Sequence, residues 1–149
     1  MWCQFVSREG NKKKKEIRLE FDKDIERLAT ETVDCGYHIH VDLGPGLMES
    51  VYEAVLEHRL TKKGIRVERQ KPIAIKTDGL VLPNAFRADL LLEDKLIIEI
   101  KSLEKLATIH NMQLLTYLRL MNLRLGLLIN FGEETFKTGV KRIINNHAQ

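Results

Sequence analysis

Cysteine is scarce in this sequence: only Cys3 and Cys35 occur, with no C-x-x-C pair and no Cys/His ligand spacing. Such usage suggests neither a disulfide framework nor a thiolate metal site. It fits a reduced, cytoplasmic compartment with Cys35 as a small core residue. Long apolar runs are missing too, since none approaches the roughly 18 residues that a membrane span needs. The N-terminal MWCQFVSREGNKKKK places its charges after its apolar residues, the reverse of a secretory signal. Aromatic residues make up 6% of the chain, which argues against an extended base-stacking groove. The one glycine cluster, GPG at 44–46, lacks the further glycines and the preceding strand of a phosphate loop. No Ser-His-Asp or Cys-His order stands out, and His38, His40 and His58 read as surface or core-edge side chains.

What is present is the composition of one globular domain, 149 residues with 44% hydrophobic and 30% charged side chains. Charge is unevenly spread. In residues 1–15, Arg8 and Lys12 to Lys15 stand against Glu9, a net of +4, so the remainder of a chain with +3 overall carries −1. We therefore expect a flexible basic tail over 1–15 and a single domain over 16–149. The KKKK run could touch phosphates, although a solvated end is the preferred reading. Any nucleic-acid binding by the body must come from a local patch.

Apolar residues from Phe21 through Ile25, Leu28, Ala29, Val33, Tyr37 and Ile39 recur near helical spacing, predicting a helix over about 22–40. LGPG at 43–46 ends it, because a proline between two glycines cannot readily continue a helix. Met48, Val51, Tyr52, Val55, Leu56 and Leu60 predict a second helix over about 47–63, with Gly64 at its C-cap. The period then shortens. IRVERQKPIAIKTDG alternates loosely, with Pro72 at an edge or bulge and Asp78-Gly79 as a turn. LVLPNAFRADLLL and KLIIEIKS follow as strands. A helix over about 107–121 carries Ile109, Met112, Leu115, Leu118 and Leu120, LRLGLLINF at 123–131 reads as a buried strand, and TFKTGVKRIINNH as a short helix. The order implies an α/β domain around a mixed sheet.

The stretch FRADLLLEDKLIIEIKS at 86–102 sets acids among apolar residues. Alternation puts Glu99 and Lys101 on one strand face, and Arg87, Asp89 and Leu91 opposite Phe86, Ala88, Leu90 and Leu92. A two-residue turn would separate Asp89 from Glu99. A three-residue turn, Glu93-Asp94-Lys95, pairs 92 with 96 and hence 89 with 99, and hides both apolar rows on one side. That register is the expectation. Two carboxylates then face each other at roughly 5 Å between Cβ atoms, repelling unless a cation is shared, and oxygen donors of this kind suit Mg²⁺ or Mn²⁺. Lys101 would face the same ion. The competing reading is a solvated sheet face with a Glu–Lys pair.

Two further groupings favour a site. His110, Gln113 and Tyr117 share one helix face by their spacing. Glu49 lies in the first turn of the second helix, where the macrodipole favours an anion, and Tyr52 follows one turn later. LGPGLMESVYE, with Gly46, Glu49 and Tyr52, resembles the signature of the GxxExxY proteins, as do FRADLLLEDKLIIEIKS, IHNMQLLTYLRL and LLINFG, over about residues 24–145. That family in turn resembles the PD-(D/E)XK nuclease superfamily.

The resemblance implies a restriction-endonuclease-like core of helix, three strands, helix and strand, with an extra N-terminal helix and a short C-terminal helix. It implies that Asp89, Glu99 and Lys101 are catalytic. Glu49, Asp89, Glu99 and the Ile100 carbonyl would hold Mg²⁺ or Mn²⁺. Gln113 and Tyr117 match a Q-x-x-x-Y helix that supports the site or contacts the strand, with His110, Tyr52 and Arg87 as further supporting or substrate-binding residues. Ala88 departs from the motif's proline. The expected partner is nucleic acid, DNA in the first place, in repair, processing or defence. The alternative is a non-catalytic nucleic-acid-binding or protein-interaction module that keeps the fold.

Overall fold

The computed structural model describes residues 2–149, with side chains described at 10–15 and 22–149. The chain runs α1 (Trp2–Leu43), α2 (Glu49–Lys62), β1 (Val67–Thr77), β2 (Leu80–Leu92), β3 (Leu96–Lys101), α3 (Thr108–Met121), β4 (Leu125–Asn130) and β5 (Val140–Ile144). Residues 2–15, set apart above as a basic tail, continue α1, and Lys12 to Lys15 are exposed along it. Lysine and glutamate are good helix formers, and no proline precedes Pro45 to stop the helix. The Cys3 side chain lies outside those described, whereas Cys35 is buried as a free thiol.

The helix pair is joined by a tight corner. Gly44 and Gly46 both take positive φ, 69° and 102°, a conformation open to glycine at no steric cost. Gly64, just past the α2 C-cap at Lys63, does the same at 80°. Strand order is β1-β2-β3-β4-β5, antiparallel except for β3 against β4, which α3 links as a crossover. Asp78 and Gly79, with φ of 50° and 76°, form the β1–β2 turn. Pro72 sits on the edge strand β1, where a missing N–H is tolerated.

The sheet separates two apolar clusters. Ile25, Leu28, Ile39, Tyr52, Leu56 and Leu60 of α1 and α2 pack on Leu90, Leu92, Ile98, Ile100, Leu127 and Ile129. On the other side Leu114 and Leu118 of α3 pack with Ala88, Leu91, Ile97 and Leu128. Both faces of β3 and β4 are therefore covered, which explains their nearly unbroken apolar sequences. Each fully buried leucine or isoleucine among them contributes about 1.5–3 kcal/mol.

Four expectations change. First, Ala88 belongs to the α3 cluster with Leu91, and Phe86 packs against it, whereas Leu90 and Leu92 face α1 and α2. On β1, Val67 packs on the first cluster and Ile73 lies in the second. Both strands thus turn over between these positions, at the level of Gln70 and Asp89, and simple alternation fails there. Second, Met48 and Val51 are exposed, and the buried α2 side chains are Tyr52, Glu53, Leu56 and Leu60. Third, α3 buries Leu114 and Leu118, leaving Ile109, Met112 and Leu120 exposed. Fourth, TFKTGVKRIINNH forms one 3-10 turn, Lys137–Gly139, and then the edge strand β5 instead of a longer helix. Pairing with β4 decides this, because Ile143 meets Gly126 and Val140 meets Ile129 in that ladder. Local periodicity carries no trace of it.

The second cluster yields a direct test. Ile97→Ala, at a fully buried strand position, should destabilise the protein by about 2–5 kcal/mol. Ile109→Ala, at 62% exposure, should stay within about 0.5 kcal/mol of the unaltered protein in urea unfolding.

Candidate active site

The site grows from the turn between β2 and β3. Glu93 and Asp94 both adopt left-handed φ, 51° and 56°, and the Lys95 N–H donates to the Leu92 carbonyl at 2.9 Å. Three residues therefore lie in the loop. Leu92 pairs with Leu96, Leu91 with Ile97 and Leu90 with Ile98, the register expected from burial. The next pair would be Asp89 and Glu99, and there the ladder stops.

Side chains take over from the backbone at this point. The Asp89 N–H donates to Glu99 Oε1 at 3.2 Å, and the Ile100 N–H donates to Asp89 Oδ2 at 2.8 Å. The acids meet across a split between strands, not side by side on one flat face. Asp89 lines a cleft of about 520 Å³ with Glu49, Glu53, Gln70 and Ser102 on the α2 side. Glu99 is outside that lining and only 7% exposed, and its charge reaches Tyr117 of α3.

Electrostatics follow from this burial. Loss of hydration, and then the nearby Asp89 charge, push the Glu99 carboxyl up to about 9. Asp89 is raised as well, mainly by burial, with the Ile100 N–H pulling it back and the Glu53 charge adding to the rise. Lys101 favours the charged form of both acids. No carboxylate lies within ion-pair distance of its ammonium among the described residues. The Lys101 carbonyl accepts from the Phe131 N–H at 2.9 Å, on the β4 side. Strand alternation then aims the Ile100 carbonyl, like its N–H, at the β2 side where the ladder has opened.

The other expected residues distribute themselves around this pair. Glu49 opens α2, and its Oε1 lies 3.4 Å from the Ser102 N–H, a long contact at the end of β3. Tyr52 is fully buried and stacked on Phe131 at 4.4 Å. Its hydroxyl donates to the Gly44 carbonyl at 2.5 Å and accepts from the Leu47 N–H at 3.1 Å, so it holds the glycine corner and does not line the cleft. Gln113 donates to the Tyr117 hydroxyl at 2.7 Å, and Tyr117 stacks on Phe86 at 3.8 Å. Burial, then the Glu99 charge, raise the Tyr117 phenol. His110 accepts the Ala107 N–H on Nδ1 at 3.0 Å and so caps the start of α3. Arg87 is exposed on β2, two residues before Asp89. His40 bonds the Glu133 carbonyl through Nε2 at 2.8 Å, tying α1 to the loop after β4.

A family model for the PD-(D/E)XK nuclease superfamily matches residues 26–143. The chain belongs to that superfamily. Comparison with curated proteins and with solved structures returned no match. In PD-(D/E)XK terms, α2, β1, β2, β3, α3 and β4 form the restriction-endonuclease-like core, to which α1 and β5 are added. The superfamily implies nuclease chemistry on nucleic acid. Among the described residues no helix is long and apolar enough to cross a membrane.

Sequence reasoning missed four contributors to this candidate site. Glu53 is 4% exposed, bound by Arg69 Nε at 2.7 Å and by Gln70 Nε2 at 2.9 Å. Its spacing of four from Glu49 was a readable sign that both acids share a helix face. Gln70 and Arg69 left no sign at all. Asn130 is fully buried, accepts from Leu103 N–H at 2.9 Å and Gly132 N–H at 3.1 Å, and donates to the Leu103 carbonyl at 2.9 Å. It pins the segment that leaves β3. A lone amide in LLINF was its signal.

Raised acids make stability depend on pH. Unfolded, Glu99 titrates near its ordinary 4.5, and folded it titrates near 9. Between these values the folded, cation-free protein binds the extra proton, so stability falls as pH rises through that window, by up to about 1.4 kcal/mol per pH unit. Thermal unfolding in chelator from pH 5 to 9 should show a falling midpoint. Glu99→Gln should flatten that decline.

Proposed function

We propose that this chain is a metal-dependent nuclease of the GxxExxY kind, hydrolysing phosphodiester bonds in nucleic acid, with DNA as the first substrate to test. The observation that carries this reading is the interlocked Asp89–Glu99 pair beside the Lys101 ammonium, which has no ion-pair partner among the described residues, in a chain of a nuclease superfamily. The cysteine usage supports action in the cytoplasm.

The donors fit a hard divalent cation. Two carboxyls whose mutual repulsion and burial hold back ionisation gain most from a shared positive charge, and Mg²⁺ commonly takes only one or two carboxylates plus water. Asp89, Glu99 and the Ile100 carbonyl would hold Mg²⁺ or Mn²⁺, with Glu49 contributing from α2. A bound ion of this class lowers the pKa of water and neutralises charge on a phosphodiester.

The protein's own groups do the rest. Lys101 orients the nucleophile and stabilises charge that grows on the phosphate. Arg87, exposed on the strand that carries Asp89, clamps a neighbouring phosphate. Tyr117, set by Gln113 and Phe86, closes the α3 side of Glu99 and limits its hydration. His110 contributes by fixing the start of that helix.

One observation favours a second reading. Among the described residues no group of three or more His, Cys, Asp or Glu side chains is placed to hold a metal ion. A nucleic-acid-binding or interaction module that keeps the fold would need none. Labelled DNA and RNA incubated with Mg²⁺ or Mn²⁺ separate the two. The unaltered protein should cleave, and Lys101→Ala should lose about 100-fold or more. Asp89→Asn, which keeps an acceptor for the Ile100 N–H, should lose as much while remaining folded. Equal cleavage by all three proteins, or no Mn²⁺ binding by calorimetry, would remove the nuclease assignment.

A further inference from the structure

We propose that Gln70 is a positioning residue for Asp89, holding its carboxylate through an amide shared with Glu53. Part of the proposal rests on the metal reading above, and part stands on geometry alone.

Gln70 has a φ of 52° in the interior of β1. This is the left-handed region, which glycine and asparagine enter easily and a longer side chain enters only at a cost. The register on either side is continuous, Arg69 with Leu90 and Lys71 with Ala88, so Gln70 stands across from Asp89. It is also the level at which both strands turn over. The left-handed residue is thus placed where the site begins.

Its amide uses both protons. Nε2 donates to Glu53 at 2.9 and 3.0 Å and lies 3.3 Å from Asp89 Oδ1. Asp89 Oδ2 is taken by the Ile100 N–H at 2.8 Å. Each Asp89 oxygen therefore has its own donor, one from β3 and one from β1, which fixes the carboxylate plane. Glu53 is anchored in turn by Arg69, whose Nη2 also reaches the Ser50 carbonyl at 3.2 Å. The chain Arg69–Glu53–Gln70–Asp89 ties α2, β1 and β2 to the backbone of β3. It also sets a donor between two acids that would otherwise repel. A backbone that needed only this turn would be served better by glycine, so the side chain is the reason for glutamine here.

Two substitutions separate the amide from the backbone. Gln70→Gly relieves the left-handed conformation and removes the amide, and Gln70→Met keeps the bulk without donors. In the metal-free full chain, amide hydrogen exchange followed by NMR should show Ile100 exchanging about tenfold faster in both variants, with Ile98 unchanged. The unfolding midpoint should fall less in Gln70→Gly than in Gln70→Met, because both lose the amide and only glycine relieves the left-handed backbone. Mn²⁺ affinity by calorimetry should fall about tenfold or more in both. Unchanged Ile100 exchange in both variants, or equal acceleration at Ile98, would overturn the proposal. If Ile100 responds while the unaltered protein fails to bind Mn²⁺, the positioning role stands and the metal reading falls. If Ile100 exchange is unchanged while all three proteins bind Mn²⁺ equally, the positioning role falls and the metal reading stands.

Discussion

A buried backbone amide needs an acceptor, and that requirement governs the centre of this molecule. β3 is enclosed on both faces, so an N–H left open along it costs about 1–3 kcal/mol. β2 supplies partners only as far as Leu90 against Ile98. Beyond that pair the Asp89 carboxylate stands in for the missing carbonyl at Ile100, and the Glu99 carboxylate receives the Asp89 N–H. The acids are therefore structural acceptors before they are anything else. Their positions are set by the ladder that they terminate.

Charge follows from the same arrangement. Glu99 continues a strand whose neighbours are Ile98 and Ile100, both fully buried, and among the described residues no cation lies within ion-pair distance of it. Lys101, one strand repeat later and half-buried, is close enough to bias both acids without closing on either. Arg69 is committed to Glu53 instead. The interior thus carries acids without full compensation, an arrangement that costs stability unless another cation arrives. A purely structural strand end would be served more cheaply by one neutral amide, as the Asn130 side chain serves the segment that leaves β3.

The hairpin register was legible because two constraints agreed. The turn length that brings Asp89 to Glu99 also buries Leu90, Leu92, Leu96 and Ile98 together, and burial allows no one-residue slip. Elements whose apolar period was strong, such as β3 and β4, were equally readable. Where the reading failed, a long-range contact overrode a local pattern. Ala88 changes sides because the strands turn over at Gln70 and Asp89, and a left-handed glutamine leaves no compositional mark. Met48 and Val51 sit at helical spacing yet face outward, while Glu53 goes inward because Arg69 and Gln70 await it on β1. Val140–Ile144 reads as helix until β4 offers it a ladder. In each case the deciding partner is distant in sequence and polar or backbone in kind, so hydrophobic periodicity could not register it.

The glycine, glutamate and tyrosine that mark the α2 corner acquire separate physical reasons. Gly46, at a φ of 102°, lets the chain turn into α2 at an angle that an L side chain would resist. The Tyr52 hydroxyl then clamps both limbs of that corner, at Gly44 and Leu47, from within the core. With the corner held, the Leu47 carbonyl accepts from Ser102 Oγ at 2.6 Å, joining the entry of α2 to the exit of β3. Glu49 is consequently delivered to the rim of the cleft beside Asp89, and Glu53 one turn below it. Two of the three marker residues thus work for the third. The opening left where β2 parts from β3 becomes a walled, acidic cleft only because α2 is pinned across its mouth.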